Sequence, residues 1–314
     1  MSRNRVPLCA GFDIGGTKIE ATLFDTDLQP IRTSRCRTPR ESYDELFRTL
    51  VETIAEVRAS SGQPDLPVGL GFPGLVDPLT GEAMTSNLPA TGRPIARDLK
   101  NAVGGTVVAE NDCKCFALSE ANGGSGKGSG SVFGLILGTG LGGGMCHHGK
   151  LLSGLNNIAG EIGHFAVPAH LFVKHGLPLR VCGCGRTGCF ETLVSGTGLV
   201  TLCRTFSSED CEVPEIAERA AAGDAEMVGV MNIWAELAGE LLHTLQLHLD
   251  PEVIVLGGGL SNIAGIELKL AEALERAALP ALRRPAIRKP AFGDSSGGRG
   301  AAILALEVSR GEAR

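Results

Sequence analysis

Three glycine-rich turns follow short apolar segments of this chain and could together hold the phosphates of a nucleotide. They are DIGGTK at 13–18, LGTGLGGG at 137–144 and GGG at 257–259. Glycine lets backbone N–H groups close around an anion without a Cβ in the way. A fourth motif, END at 110–112, places carboxylates directly after another apolar segment. Phosphoryl transfer needs phosphates held by backbone groups, a cation, and one base aimed at the acceptor hydroxyl, so these motifs predict that chemistry.

The first turn carries two side chains suited to a phosphate and its cation. Asp13 ends the predicted first strand, where a carboxylate can hold Mg²⁺ directly or through water. Thr17 can donate its hydroxyl to a phosphate oxygen. DIGGTK alone is also compatible with an ordinary β-hairpin. The similar strand, turn and strand at 132–148 favours phosphate binding by both turns.

Asp112 has two alternative roles. As a general base, it accepts the proton of a substrate hydroxyl that attacks the γ-phosphate. As a structural residue, it only caps the helix predicted at 113–121. Its position between a strand and a helix is compatible with both.

A metal site is predicted from cysteine spacing. Cys182, Cys184 and Cys189 form C-x-C-x4-C in a glycine-rich loop, and His164 lies upstream in GEIGH. Three thiolates and one imidazole suit a closed, tetrahedral, structural Zn²⁺ site. The alternatives are reduced loop thiols without a metal, or replacement of His164 as ligand by His170 or His175.

Two further glycine motifs are predicted not to bind nucleotides. GLGFPG at 69–74 matches the dinucleotide pattern, but the proline and the following Asp77-Pro78 indicate a turn instead of the required helix. GMCHHGK at 144–150 resembles a Walker A loop, but Leu151 stands where Ser or Thr must reach Mg²⁺.

The elements that position these motifs are predicted to be strands alternating with helices, which favours an α/β fold. A capping box at Ser42 opens a helix with Leu46, Leu50, Ile54 and Val57 at helical spacing. The glycine-serine stretch at 122–130 is typical of a linker or an exposed loop. A last helix is predicted at 301–308.

Composition excludes several classes of function. The chain has 314 residues, 43% of them hydrophobic, which is enough for about two domains with cores of their own. Its net charge of -6, without a basic cluster, argues against a nucleic-acid partner. Neither a membrane-spanning run nor a secretory signal is recognisable, so a cytoplasmic protein with reduced cysteines is expected.

The motifs together resemble the ROK sugar kinases of the actin/hexokinase-like superfamily. The resemblance rests on DIGGTK, END, LGTGLGGG, GEIGH and CGCGRTGCFE at 182–191, and it covers nearly the whole chain. It implies a duplicated, two-lobed α/β (ribonuclease H-like) fold around a central cleft. The lobes expected are 1–121, completed by a helix at about 299–314, and 122–298 with the zinc loop.

The resemblance also implies a role for each motif residue. Asp112 would be the general base, and the sugar hydroxyls would be bound by Asn111, Glu161, His164 and Glu191. The zinc ligands would be His164, Cys182, Cys184 and Cys189. ATP would be bound by Asp13, Gly15, Gly16, Thr17, Lys18, Gly138, Thr139, Gly140, Gly257 and Gly258.

The expected reaction is ATP-dependent phosphorylation of the 6-hydroxyl of N-acetyl-D-glucosamine, with ATP, Mg²⁺ and structural Zn²⁺. Alternative acceptors are N-acetylmannosamine, glucose and fructose. A sugar-sensing regulator without catalysis is a further alternative, which is not favoured because the seven residues before the first predicted strand are expected to be too few for a helix-turn-helix. The expected partners are a small-molecule sugar and a second copy of the chain in a homodimer, without nucleic acid or membrane.

Overall fold

A computed structural model describes residues 6–85 and 87–312 of the chain. The sequence predicts that the chain has no export signal, and that prediction concerns its first residues, of which 1–5 lie outside the described ones. Contacts divide the chain into two compact units, each made of several segments. The first comprises Met1–Lys127, Gly144–Ala159 and Ala291–Arg314, and the second Gly128–Gly143 and Gly160–Pro290. This grouping assigns 144–159 to the first unit, whereas the sequence placed those residues in the second lobe.

The strands are β1 Pro7–Ile14, β2 Lys18–Asp25, β3 Pro30–Arg37, β4 Val68–Phe72, β5 Leu75–Val76, β6 Ala83–Met84, β7 Val107–Asn111, β8 Ser131–Leu137, β9 Leu141–His147, β10 Lys150–Leu151, β11 Val253–Gly257 and β12 Ala286–Arg288. The α-helices are α1 Tyr43–Ser61, α2 Ile95–Val103, α3 Asp112–Ala121, α4 Ala169–His175, α5 Glu191–Val194, α6 Gly196–Phe206, α7 Val213–Ala221, α8 Ala225–Leu249, α9 Ile266–Ala277 and α10 Ser296–Ser309. Among the described residues, no helix combines the length and apolar character needed to cross a membrane.

The same sheet order occurs twice. One sheet has the order β3-β2-β1-β4-β7 and the other β10-β9-β8-β11-β12. In the first sheet, β1 pairs antiparallel with β2 and parallel with β4, and β4 pairs parallel with β7. In the second, β8 and β12 pair parallel with β11. The duplicated α/β architecture predicted from the repeated strand, turn and strand is therefore confirmed.

The core of the first unit forms as the apolar spacing predicts. Ser42 caps α1 by accepting the Glu45 backbone N–H at 3.2 Å, and the predicted apolar positions of α1 are all buried. On the other face, α10 packs against β1 and β4 at glycines. A Cβ on Gly11 would come within 1.8 Å of the Gly298 carbonyl oxygen, and one on Gly69 equally close to that of Ala301. Only glycine permits this approach.

The glycine-serine stretch is not the free linker that its composition predicts. The fully buried Glu120 carboxylate accepts backbone N–H groups of Ser125 at 2.9 Å and Ala291 at 3.0 Å. Arg299 donates to the carbonyl oxygen of Asn122 at 2.8 Å and stacks over the Phe292 ring. The chain does pass between the units at 127/128, but the preceding residues are held by a buried carboxylate.

The two glycine motifs predicted not to bind nucleotides, GLGFPG and GMCHHGK, have the structure that was predicted for them. GLGFPG ends β4 and continues into the short strand β5, so no helix begins there. Most of GMCHHGK lies in β9 and the turn that follows it. Neither segment has the strand, loop and helix order that a nucleotide-binding glycine motif requires.

Candidate active site

Asp13 and Asp112 lie at the same edge of the first sheet. Strands β1, β4 and β7 are parallel, with Asp13 opposite Gly71 and Gly71 opposite Glu110. Asp13 is near the end of β1, and Asp112 directly follows β7. Two strand spacings separate them, about 10 Å between backbones. The carboxyl edge of a parallel sheet is where α/β proteins bind ligands, so both acids are suitably placed.

The residue that caps α3 is Asn111. Its Oδ1 accepts the Lys114 backbone N–H at 3.2 Å, and its Nδ2 donates to the Gly74 carbonyl oxygen at 2.9 Å. Asp112 is the first residue of the helix, so the alternative in which Asp112 is only the cap is wrong. Asn111 is 6% exposed, and both polar atoms of its amide have partners within the protein.

The environment of Asp112 suits a base. Desolvation by the surrounding protein raises the pKa of Asp112 above its ordinary value, and hydrogen bonds from Cys113 partly oppose that shift. The nearby Cys115 thiol is buried, and its pKa is raised well above the usual value by burial and then by Glu110, Asp112 and Asp13. Cys115 therefore remains a protonated thiol beneath a group of carboxylates.

Two carbonyl oxygens of the first glycine turn accept hydrogen bonds from Thr38. The Thr38 hydroxyl donates to the Gly15 carbonyl oxygen at 2.7 Å, and the Thr38 N–H donates to that of Thr17 at 3.1 Å. Lys18 is exposed and lies 3.9 Å from the Glu20 carboxylate. A Cβ on Gly16 would contact the Asn87 amide at 3.3 Å.

The second glycine turn adjoins the start of α6. Gly196 N–H donates to the Gly138 carbonyl oxygen at 2.7 Å, and the Thr197 hydroxyl donates to that of Thr139 at 3.0 Å. Ser195 caps α6 by accepting the Gly198 N–H at 3.1 Å. A glycine turn beside a helix N-terminus is suited to an anion such as a phosphate.

A cavity of about 550 Å³ opens at this junction, a size that suits a nucleoside. It is lined by Gly138, Thr139, Gly196, Thr197, Val200, Thr201, Arg204, Glu212, Val213, Pro214, Gly259 and Leu260. Of the predicted ATP-binding residues, it includes only Gly138 and Thr139.

The wall formed by α6 and the start of α7 was not predicted from the sequence. The sequence did contain one signal for this wall. Ser195-Gly196-Thr197-Gly198 has a helix-capping serine followed by glycine, shortly after the loop that carries Cys182, Cys184 and Cys189. The predicted Gly257 and Gly258 do not line the cavity. Gly257 is the last residue of β11, and Gly258 has φ +79° with no room for a Cβ beside Leu137. The adjacent Gly259 and Leu260 line the cavity in their place.

The structure brings together the four predicted metal ligands. One ligand atom from each of His164, Cys182, Cys184 and Cys189 lies within 4.8 Å of all the others. Cys182 Sγ is 3.6 Å from His164 Nδ1, and Cys184 Sγ is 3.7 Å from Cys189 Sγ. A tetrahedron with ordinary zinc bond lengths has edges of about 3.5 Å between N and S and about 3.8 Å between two S atoms. The donor set and its spacing fit Zn²⁺.

The loop that carries these cysteines is shaped by its own backbone. Cys182 N–H donates to the Arg186 carbonyl oxygen at 2.7 Å, which closes a tight turn around Cys184. Cys189 pairs with Ala166 in an isolated bridge, which places it beside the segment that contains His164.

Two carboxylates predicted to bind the sugar, Glu161 and Glu191, lie beside the predicted metal ligands His164 and Cys182. His164 Nε2, on the far side of the ring from the thiols, is 3.8 Å from Glu161 Oε2. The Cys182 thiol donates to Glu191 Oε1 at 3.4 Å, and Glu191 Oε2 accepts the Leu141 N–H at 3.0 Å. Glu191 thus connects the loop that carries the three cysteines with the second glycine turn.

Comparison with known proteins places the chain among sugar kinases. The ROK family model matches residues 9–308. The chain is 40% identical to the N-acetylgalactosamine kinase AgaK of a Shewanella species, covering 96% of this chain and 97% of that protein. It is 41% identical to the N-acetyl-D-glucosamine kinase of Photobacterium profundum, covering 95% and 99%.

A solved structure shares the fold. A ROK family glucokinase from Streptomyces griseus, in complex with glucose and AMPPNP, is 30% identical and superposes with a TM-score of 0.76 over 96% of this chain and 99% of that one. The predicted actin/hexokinase-like fold is therefore confirmed. With the family model and the relatives covering nearly its whole length, the chain belongs to the ROK family.

Proposed function

We propose that this chain is an ATP-dependent kinase that phosphorylates the 6-hydroxyl of N-acetyl-D-glucosamine. The observation that carries the proposal is the position of Asp13 and Asp112 at one carboxyl edge of the first sheet. Kinase chemistry needs a cation ligand and a base near each other, and this edge provides two carboxylates for those roles. The relative from Photobacterium profundum supports this acceptor.

The base in this proposal is Asp112. It accepts the proton of the 6-hydroxyl while the sugar oxygen bonds to the γ-phosphorus, and the bond from that phosphorus to the β,γ-bridging oxygen breaks to release ADP. Asp13 would hold Mg²⁺, which neutralises charge on the phosphates when bound. The backbone of the turn at 13–18 and the Lys18 side chain would contact the phosphates.

The nucleotide is assigned to the cavity of the second unit. Its phosphates would lie at the turn formed by Gly138, Thr139 and Gly140 and at the N-terminus of α6, and its nucleoside would occupy the cavity. The binding of AMPPNP by the Streptomyces griseus glucokinase supports a nucleoside triphosphate as phosphoryl donor.

The sugar is assigned to Asn111, Glu161, His164 and Glu191. His164 Nδ1 faces the thiols, so zinc held there by Cys182, Cys184 and Cys189 would leave Nε2 for a sugar hydroxyl and fix the tautomer. Three thiolates and one imidazole complete a tetrahedral site, so zinc would be structural. A homodimer and a cytoplasmic location also stay predictions.

A second acceptor is supported by a specific observation, since the relative from Shewanella is an N-acetylgalactosamine kinase. The two sugars differ only in the orientation of the 4-hydroxyl, and a single hydrogen bond can decide between such substrates.

An ADP-release assay over a panel of sugars tests the proposal. The panel contains N-acetylglucosamine, N-acetylgalactosamine, N-acetylmannosamine, glucose and fructose, and we expect the highest kcat/KM with N-acetylglucosamine. Its 6-deoxy analogue should bind without turnover. A higher kcat/KM with another sugar would replace the acceptor, and sugar binding without any ADP release would instead indicate a regulator.

A further inference from the structure

Lys114 is a fully buried cation in the helix that begins with Asp112. Its Nζ donates to the carbonyl oxygen of Asn157 at 2.7 Å and to the Asn157 side-chain Oδ1 at 2.5 Å. The same Nζ lies 3.9 Å from Glu110 Oε1. Removing an ammonium group from water is costly, so a buried lysine requires partners such as these.

Asn157 also contacts Glu110 and β5. Its Nδ2 donates to Glu110 Oε1 at 2.9 Å and to the Val76 carbonyl oxygen at 3.2 Å. Glu110 Oε1 also accepts the backbone N–H of Asn111 at 2.8 Å. The Lys114 network, defined as Glu110, Lys114 and Asn157, therefore joins β5, the end of β7, the start of α3 and the segment 152–159.

The network holds an otherwise exposed segment. Of residues 152–158, only Asn157 is buried, and it adopts a left-handed backbone with φ +55°. This conformation is unfavourable for most residues other than glycine but is tolerated by asparagine. The segment leads directly into Gly160 and Glu161, the latter assigned to the sugar. Backbone hydrogen bonds hold the start of the segment, where Leu152 N–H donates to the Met145 carbonyl oxygen at 2.8 Å, and Asn157 is the buried side chain that anchors its later part.

A stability role alone explains this arrangement poorly. Replacing a buried ion pair by apolar residues is often neutral or stabilising, whereas such a pair can define one arrangement of the chain. Here the arrangement is that of the junction between β7 and α3, where Asp112 lies, relative to the segment 152–159, both in the first unit.

We propose that Lys114 is a positioning residue for the acceptor sugar: through Asn157 it holds the segment 152–159, which leads into Glu161, against the start of α3, where Asp112 lies. This inference rests on the proposed kinase function. Lys114 would not contact the reacting atoms, and its effect would be on sugar binding more than on phosphoryl transfer or ATP binding.

The test is steady-state kinetics of Lys114→Met, which keeps the length of the side chain but removes its donors. We expect the sugar KM to rise about tenfold or more, because small misplacements of a bound group have large kinetic effects. The ATP KM and kcat should remain close to wild type. Asn157→Gly retains the left-handed backbone and loses the side chain, so it should raise the sugar KM in the same way, and the double variant should be non-additive.

Two controls separate positioning from charge balance and folding. Lys150→Met removes an exposed lysine paired with Glu307 at 2.8 Å in the same unit and should leave the sugar KM unchanged. Glu110→Gln combined with Lys114→Met removes both buried charges. If that double variant regains the wild-type sugar KM, Lys114 only balances the charge of Glu110 and the proposal is overturned.

The remaining outcomes are also decisive. If Lys114→Met does not fold, as shown by thermal melting, the charge-balanced double variant and Asn157→Gly carry the test, and an unchanged sugar KM in both overturns the proposal. If the wild-type chain phosphorylates no sugar, the proposed function fails. Sugar affinity measured by calorimetry then tests positioning separately, and we expect a loss in Lys114→Met and none in Lys150→Met.

Discussion

The Glu191 carboxylate accepts the backbone N–H of Leu141 at 3.0 Å. This hydrogen bond links the residue after Cys189 and Phe190 to the second glycine turn, across 50 positions of sequence. A Cβ on Gly140 would lie only 3.0 Å from the same carboxylate oxygen. The proposed sugar ligand is therefore held by the turn that is proposed to bind phosphate.

Substitutions of Glu191 should separate its two contacts. Glu191→Gln keeps an acceptor for the Leu141 N–H, whereas Glu191→Ala leaves that donor without its partner. We expect the sugar KM to rise in both, and the ATP KM to rise only in the alanine variant, because only there does the turn lose support. The loss of one hydrogen bond to a charged group corresponds to about tenfold in KM. Equal ATP KM values in both variants would show that the Leu141 contact does not shape the turn.

Asp112→Asn should reduce activity and increase stability at the same time. Loss of the base should lower kcat by about 10²–10⁴-fold, whereas the sugar Kd measured by calorimetry should change little. The pKa of Asp112 is raised by desolvation, so its ionised form destabilises the folded state. The melting temperature of the variant should therefore exceed that of wild type at neutral pH.

The pH dependence of this stability difference follows from the sign of the shift. With a folded pKa above the unfolded one, the protonated carboxyl favours folding below the unfolded value of about 3.9, and that stability is lost as pH rises through the raised pKa. The advantage of Asp112→Asn should accordingly disappear in acid. A variant that melts below wild type at neutral pH would contradict the assigned environment.

The same shift predicts the acid limb of the activity profile. A base must be deprotonated, so kcat/KM should fall with decreasing pH at a midpoint above the ordinary aspartate value. The sugar and ATP affinities should be measured over the same range to separate protonation of Asp112 from loss of binding. A limb that lies at the ordinary aspartate pKa would argue against Asp112 as a desolvated base.

Metal content tests the cysteine cluster. We expect about one zinc per chain in the purified protein, and Cys184→Ser should lose it together with a lowered melting temperature, because three donors hold zinc less well than four. Cys36→Ser is the control, since Cys36 lies in β3 and outside the cluster. Wild-type protein without zinc, or Cys184→Ser with full zinc, would refute the site.

A substitution of Gly259 tests whether the nucleoside occupies the cavity proposed for it. A Cβ on Gly259 meets no heavy atom within 4 Å, and Gly259 lines the cavity. Gly259→Ala should thus be close to wild type, whereas Gly259→Leu should raise the ATP KM and leave the sugar KM unchanged. Melting curves of both variants check that the fold is retained. An unchanged ATP KM in Gly259→Leu would place the nucleoside elsewhere.

Several features of this protein could be predicted from short stretches of its sequence. The turn at Gly15 and Gly16, the Ser42 cap and the C-x-C-x4-C spacing each depend on residues close in sequence, where backbone geometry and ligand chemistry restrict the outcome. The repeated strand, turn and strand similarly predicted two related sheets.

Contacts between residues that are far apart in the sequence could not be predicted from such local patterns. The glycine-serine stretch at 122–130 has the composition of a flexible linker. Glu120, just before it, nevertheless accepts the backbone N–H groups of Ala291 and Phe292, which lie 171 and 172 positions away. Lys114 finds Asn157 at a distance of 43 positions, and the cavity combines the turn at Gly138 with α6 and Gly259.

The sequence by itself determined the family, the α/β architecture and the motifs on which the proposed metal site and the proposed catalytic carboxylates depend, because short spacings and residue types restrict these features. Only the tertiary structure decided which buried charges meet, which residue caps α3 and which residues line the cavity beside the second glycine turn. Burial of polar groups is settled by partners brought together through folding, and a linear pattern does not specify those partners.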